Sequence, residues 1–423
     1  MLDTEGQLAR LKQRVAAINR KFAENKRPPA PVFYTEEKPA RWFIEEWAEG
    51  QVIAGEFGEH FESERLFPGH RPHGSADVGA LAEMSHDLLD VLSEGQITSC
   101  PPDRWAFLDT ETTGLAGGSG TYAFLIGVGR ITNEGFRVRQ FFMREYAEER
   151  SVLSAVKAHL EEFDVLVTYN GRSYDQPLLE TRYRMTRLKP PFARLTHLDV
   201  LYGARRLWKL RLDGCRLMQL ENQILGVCRE GDLPGEMIPY VYFEYLRSRE
   251  AQRLVPIFHH NAIDILTLAC LTAIVPAAFR DTGRDSLERL GLRRGEEFLG
   301  IARWLIAAGE EEKGLELLKR AIESGLPDCH LFSVLWKTGQ LEKKLQRPHA
   351  AVEIFTELAG CRNEFRVAAL EELAKYYEHE ERNFAIALEF TQQALLFGET
   401  PELLNRKARL ERRLQKPRTK RLI

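Results

Sequence analysis

The chain is expected to fold as an α/β domain, a mixed five-stranded sheet with flanking helices, followed by an all-α helical-repeat domain. Three observations carry that expectation. Between about residues 101 and 275, short apolar runs that read as strands alternate with segments of helical periodicity. From about residue 286 onward the apolar pattern is helical throughout and repeats itself. The 423 residues suffice for two or three domains, and 44% hydrophobic with 29% charged residues is the composition of a folded globular chain.

In chain order, residues 1–100 read as an N-terminal extension, a helix plus a linker. Leu8, Leu11, Val15 and Ile18 have helical spacing, and Arg27-Pro-Pro-Ala-Pro then enforces an extended chain. His60, His70 and His73 lack metal-ligand spacing and are expected at the surface or in packing. Trp105 to Glu111, Tyr122 to Ile131 and Phe136 to Met143 are strands, the last two joined by the turn Thr132-Asn-Glu-Gly135. Arg150 to Phe163 has helical periodicity, Val165 to Tyr169 is a short buried strand, and a helix runs from about Ser173 to Met185. Leu195 to Asp199 completes the five strands. Three strands followed by helix, strand, helix and strand predict a mixed sheet covered by helices.

The repeats lie between 286 and 400. Gly314-Leu-Glu-Leu-Leu-Lys-Arg-Ala321, Ala351-Val-Glu-Ile-Phe-Thr-Glu-Leu358 and Ala387-Leu-Glu-Phe-Thr-Gln-Gln-Ala394 align, with starts 37 (351 minus 314) and 36 (387 minus 351) residues apart. That period is close to the roughly 34 residues of tetratricopeptide helix pairs. Stacked pairs bury their apolar faces against neighbours and create extended binding surfaces. The repeats are therefore expected to bind a protein partner and to take no part in chemistry, so that a chain ending near Arg280 would keep it. The basic tail, 401–423, carries nine basic residues and one acid between Arg406 and Arg421.

A formal net charge of -3 points to no polyanion partner at the level of the whole molecule, so local patches have to be read separately. The six cysteines include no Cys-x-x-Cys pair, and Met1 to Asn25 is charged and unlike a signal peptide. No run of about 18 apolar residues is expected to span a membrane. These features predict a cytoplasmic chain with reduced thiols and no membrane partner.

Three acid-bearing segments carry the chemistry. In Phe107-Leu-Asp109-Thr-Glu111-Thr-Thr-Gly-Leu115 the two carboxylates sit on one strand face, roughly 6–7 Å apart. They repel each other unless a cation lies between them, and hard oxygen donors suit magnesium or manganese. In Tyr169-Asn170-Gly-Arg172-Ser-Tyr-Asp175-Gln176 a strand exits into a loop and a helix begins, with Ser173 and Gln176 spaced as a capping box. In His259-His260-Asn261-Ala-Ile-Asp264, His260 and Asp264 share one helix face.

Acids in this order resemble the DEDD exonucleases of the ribonuclease-H-like superfamily, and within it the YprB-like group of predicted nucleases. The resemblance covers about residues 101 to 275, and its first motif is the most specific. It implies metal ligands at Asp109, Glu111, Asp175 and Asp264, two Mg2+ or Mn2+ ions, and 3′-to-5′ hydrolysis of nucleic acid. The family's general base stands five or four positions before the last Asp, where this chain has His259 and His260. His260 is favoured because His-Asn-x-x-Asp resembles the YprB-like pattern and lies one turn from Asp264. A structure-selective endonuclease of the same fold, and a nucleic-acid-binding scaffold acting through the repeats, are the alternatives.

Substrate contacts are sought nearby. Asn170 and Arg172 flank the second motif. Arg182 to Arg216 holds ten basic residues, Arg205 and Lys209 among them, against Asp199 and Asp213, with Tyr183, Phe192, Tyr202 and Trp208 interleaved. Cations neutralise phosphates and aromatic rings stack on unpaired bases, which predicts single-stranded or fraying nucleic acid as the partner. Asp199 is expected to cap the following helix rather than to serve as a fifth ligand.

Overall fold

The computed structural model describes residues 44–114 and 120–415. The helical pattern expected at 8–18, the linker expected at 27–33, residues 115–119 and the end of the basic tail, 416–423, fall outside the described residues.

Strands β1 (Gln51–Gly55), β2 (Gly58–Pro68), β3 (Trp105–Thr112), β4 (Ala123–Thr132), β5 (Gly135–Phe142), β6 (Val165–Thr168) and β7 (Thr196–Asp199) form one sheet in the order β1-β2-β5-β4-β3-β6-β7. Neighbours from β1 to β3 run antiparallel, and β3, β6 and β7 run parallel. All five expected strands are present, but the sheet has seven. The two additional strands are a hairpin inside the stretch expected to be only helix and linker. Its strands escape a periodicity reading because they close one edge of the sheet: β1 buries no residue fully, and β2 is crowded with Glu and Arg. The edge strand β1 is short and uncharged, and β2, second from the edge, carries Glu59, Glu62, Glu64 and Arg65 where apolar alternation would otherwise show.

Helices α1 (Glu149–Leu160), α2 (Asp175–Met185), α3 (Val200–Trp208), α4 (Ile238–Ser248) and α5 (Val255–Arg280) accompany the sheet. The segment containing α5, Ala251–Arg280, does have the length and mean hydropathy (2.0) of a membrane span, contrary to expectation. Its apolarity has another cause, since 72% of that apolar window is buried inside the protein. The helix lies across the sheet because β4 offers it two glycines. A Cβ on Gly127 would come within 2.3 Å of both Asn261 Oδ1 and Ile265 Cδ1, and one on Gly129 within 2.6 Å of Ile265 Cγ2. Phe258, Asn261 and Ile265, three and four residues apart, form the face that meets the sheet. Gln140 of β5, itself buried, donates to the Phe258 carbonyl (2.9 Å) and to Asn261 Oδ1 (2.8 Å), so the buried polar groups are paired.

The remaining chain is helical: α6 (Gly295–Ala307), α7 (Glu311–Glu323), α8 (Asp328–Lys344), α9 (Pro348–Gly360), α10 (Arg366–His379), α11 (Phe384–Leu395) and α12 (Pro401–Gln415). α7, α9 and α11 start 37 (348 minus 311) and 36 (384 minus 348) residues apart, the period of the sequence repeat. A buried glutamate recurs with it. Glu342 meets Lys319 at 2.5 Å, and 36 residues later Glu378 meets Arg406 at 2.8 Å and Arg409 at 2.7 Å.

Packing joins the first of these helices to the sheet. Phe298, Leu299, Ile301 and Leu305 of α6 share one apolar core with Leu207, Trp208 and Phe279. Gly300 lets α6 approach so closely that a Cβ there would lie 2.0 Å from the Arg206 carbonyl. Glu297 accepts from Arg211 Nη1 at 2.7 Å and from the amides of Arg293 and Arg294 at 2.9 Å, tying the start of α6 to the chain after α3. A second core, from Leu335 to Leu403, holds the later helices together.

Two outcomes follow from this packing. Gly127→Ala should cost about 1–3 kcal/mol through overpacking, seen as a lowered thermal midpoint, because neither Asn261 nor Ile265 can retreat from the sheet. A chain cut after residue 346 keeps the core shared by α3, α5 and α6 and should stay folded by circular dichroism, although it uncovers Leu335 and Trp336 on α8. One cut at 280 should aggregate, since it uncovers Leu207, Trp208 and Phe279 together. A monomeric 1–280 chain with an unchanged melting temperature would contradict the shared core.

Candidate active site

The four acids come from three elements, β3, α2 and α5. Asp109 and Glu111 lie near the end of β3, opposite Gly127 and Leu125 of β4. Asp175 opens α2 just after β6, the parallel neighbour of β3. Asp264 sits on α5, one turn beyond His260. Asn261, fully buried, donates to Asp109 Oδ2 at 2.9 Å and thereby orients the strand carboxylate from the helix side. Thr110 Oγ1 donates to Asp175 Oδ1 at 2.5 Å from the strand side.

The electrostatics record how closely these groups crowd one another. Burial, then the charges of Asp264 and Asp175, holds the Asp109 carboxyl well above the usual carboxylate range. Burial, then Asp109, Asp264 and Asp175, does the same for Glu111. Asp175 is pushed up to about 6, chiefly by burial and against the pull of its Thr110 hydrogen bond. Asp264 is also raised by burial, although His260 and Arg229 oppose the shift. Carboxyls raised together in this way share a field that a cation would relieve.

The donor set fits a hard divalent ion: half-buried carboxylates with no sulfur among them. Among the described residues, no three or more His, Cys, Asp or Glu side chains are already gathered into a metal cage. Asp264 is instead engaged by Arg229, whose Nη2 meets its Oδ1 at 2.5 Å.

The two histidines separate clearly. His260 is buried, its Nδ1 lies 2.9 Å from Asp232 Oδ2, and its Nε2 lies 3.6 Å from Asp264 Oδ2. Burial alone would depress its pKa, but the Asp232 hydrogen bond and the Asp264 charge outweigh it and raise the pKa overall. Asp232 is correspondingly lowered to about 2, because His260 and Arg229 overcome its own burial. His259 is exposed and turned to the β2 strand, where Arg65 Nη1 donates to its Nδ1 at 2.7 Å.

The loop before Asp175 departs from one expectation. α2 begins at Asp175 with no side-chain cap, so Ser173 and Gln176 form no capping box. The Gln176 amide donates to the Gly171 carbonyl and its side chain reaches His197 Nδ1 at 2.5 Å, which removes it from that role. Asp199 caps α3, accepting from the Leu201 amide, and also accepts from the amides of Asn170 (2.8 Å) and Arg172 (3.1 Å). Asn170 takes a left-handed φ of 67° to make that bond. One buried carboxylate thus fixes the loop that delivers Asp175.

The basic stretch divides into structural and free groups. Arg182 pairs with buried Glu149 at 2.5 Å, Arg184 with Glu180 and Arg211 with Glu297. Tyr183, Phe192 and Trp208 are core residues, so of the interleaved aromatics only Tyr202, 46% exposed, can meet a ligand. Arg172, Arg205 and Lys209 are exposed, and Arg205 and Lys209 project four residues apart from the outer side of α3.

Sequence reasoning missed Arg229, Asp232, Glu221, Thr110 and the role of Asn261. Arg229 and Asp232 lie in Cys228-Arg-Glu-Gly-Asp-Leu-Pro-Gly235, a loop without periodicity. Its density of charge was the available signal, and an aperiodic loop declares no partner.

With this geometry in view, the comparisons with known proteins agree with one another. Residues 106–275 match the RNase H superfamily. YprB of Bacillus subtilis (strain 168), itself described as uncharacterized, is 34% identical over 317 residues, covering 73% of this chain and 74% of that protein. The matched span runs from β3 to the end region of α5 and contains all four acids. The chain therefore belongs to the YprB family, and its sheet domain is a member of the RNase H superfamily, whose fold implies a nuclease-type hydrolase.

Proposed function

We propose that the chain is a metal-dependent exonuclease that hydrolyses phosphodiester bonds of single-stranded or fraying nucleic acid from the 3′ end. The observation that carries this reading is that Asp109, Glu111, Asp175 and Asp264, from β3, α2 and α5, are all raised by burial, and that the charges of Asp175 and Asp264 raise Asp109 and Glu111 further. In this reading the four carboxylates hold two Mg2+ or Mn2+ ions. Such ions, when bound, polarise the phosphate and lower the pKa of water.

The chain's own residues supply the rest. Asn261 holds one oxygen of the Asp109 carboxylate from the α5 side. Asp232 accepts the Nδ1 proton of His260, which leaves Nε2 on the Asp264 side to take the proton of an attacking water. Arg172, Arg205, Lys209 and Tyr202 are exposed, Arg172 with one nitrogen donated to the His197 carbonyl, and exposed cations with one accessible ring suit phosphates and an unpaired base. The helical array beyond α6 acts as a surface for a protein partner, in the manner of tetratricopeptide-like repeats.

The direct test incubates the full chain with end-labelled linear and with circular single-stranded DNA and RNA, with MnCl2 or with excess EDTA. Linear substrates should be shortened from the 3′ end only in the presence of metal. Cleavage of circles would replace the exonuclease reading with an endonuclease one. Asp109→Asn should abolish hydrolysis while leaving the circular dichroism spectrum unchanged, because the amide keeps the Asn261 side filled and removes the charge. His260→Ala should lose on the order of 10²- to 10⁴-fold in rate, and His259→Ala far less. The opposite ranking would transfer the proton to His259.

A further inference from the structure

Arg229 is the one guanidinium found against the acid site among the described residues, and it is nearly buried, its side chain 7% exposed. Three of its nitrogens face three different carboxylates. Nε lies 2.6 Å from Glu221 Oε2, Nη1 3.2 Å from Asp232 Oδ2, and Nη2 2.5 Å from Asp264 Oδ1. The three contacts are unequal in kind. Glu221 is 1% exposed and also accepts from Thr267 Oγ1 at 3.0 Å, with His73 Nε2 at 3.3 Å, so it is locked in the core. Asp232 is held by His260 as well. Asp264 is the most exposed of the three, at 18%, and its other oxygen faces His260.

Resting on the metal-site reading above, we propose that Arg229 is a resident counter-cation that positions Asp264 in the metal-free chain and releases it to an incoming divalent ion. Loss of one contact leaves the guanidinium bound to Glu221 and Asp232, so the exchange needs no unpaired buried charge. The arrangement explains how a chain with Asp109, Glu111, Asp175, Asp232, Asp264 and Glu221 crowded together can fold before any ion arrives. It also sets a limit on affinity. A fixed positive charge beside Asp264 repels a divalent ion bound to the same carboxylate, so Arg229 holds metal binding weaker than the acids alone would make it.

The experiment is isothermal titration of metal-free full-length protein with MnCl2, alongside thermal melting with and without Mn2+. Arg229→Gln should bind Mn2+ at least about tenfold more tightly than the parent and should show a larger Mn2+-induced rise in melting temperature. Arg229→Lys, which keeps the charge, should stay close to the parent. Should Arg229→Gln fold poorly because Glu221 is left alone, the double variant Arg229→Gln/Glu221→Gln removes both partners and carries the same expectation. Equal or weaker Mn2+ binding by a folded variant overturns the proposal, as does a double variant that stays unfolded even in Mn2+, which would make Arg229 a purely structural tie. A parent chain that takes up no Mn2+ at all would instead overturn the metal-site reading beneath it.

Discussion

The close approach of α5 to β4 sets the terms for everything else in the sheet domain. Two glycines remove the side chains that would hold the helix off, and Asn261 and Ile265 fill the space. The contact has a chemical consequence as well as a packing one. It brings Asn261 to Asp109 and, one turn on, sets Asp264 over the end of β3. A helix held one side chain further away would bury the same apolar area and assemble no site.

Crowding acids at that point is costly, and the surroundings show how the cost is met. Asp109 and Asp175 each accept one hydrogen bond from a neutral donor, Asn261 and Thr110. Asp264 and Asp232 are answered by Arg229 and His260. Neutral donors stabilise a carboxylate without adding a charge that would later compete with a ligand, whereas a guanidinium adds one. Three of the four candidate metal ligands, Asp109, Asp175 and Asp264, are thus partnered in two different ways, and the difference decides which of them exchanges partners.

The helical array is continuous with this domain through α6, which shares the core of α3 and α5. The buried glutamates Glu342 and Glu378, one repeat apart, each tie their helix to basic side chains of neighbouring segments. Such ties restrict the register in which helices stack, since a shifted helix would leave a buried carboxylate without its cation.

Much of this was legible in the chain itself. The short apolar runs between Trp105 and Asp199 marked five strands, because those strands are largely buried. The helical periodicity beyond residue 286 marked the all-helical region, and the spacing of Asp109 with Glu111 and of His260 with Asp264 placed each pair on one face. The hairpin Gln51–Pro68 was not legible, since β1 is short with no fully buried residue and β2 carries charge in place of alternation. Nor was the division of the basic stretch, in which Arg182 and Arg211 serve buried glutamates while Arg205 and Lys209 are exposed. Local periodicity reports which way a side chain points from its own element, so the sequence by itself determined the elements and the acids they carry. Which charge meets which, as when Arg229 reaches Glu221, Asp232 and Asp264, depends on segments brought together from far along the chain, and only the tertiary structure decided it.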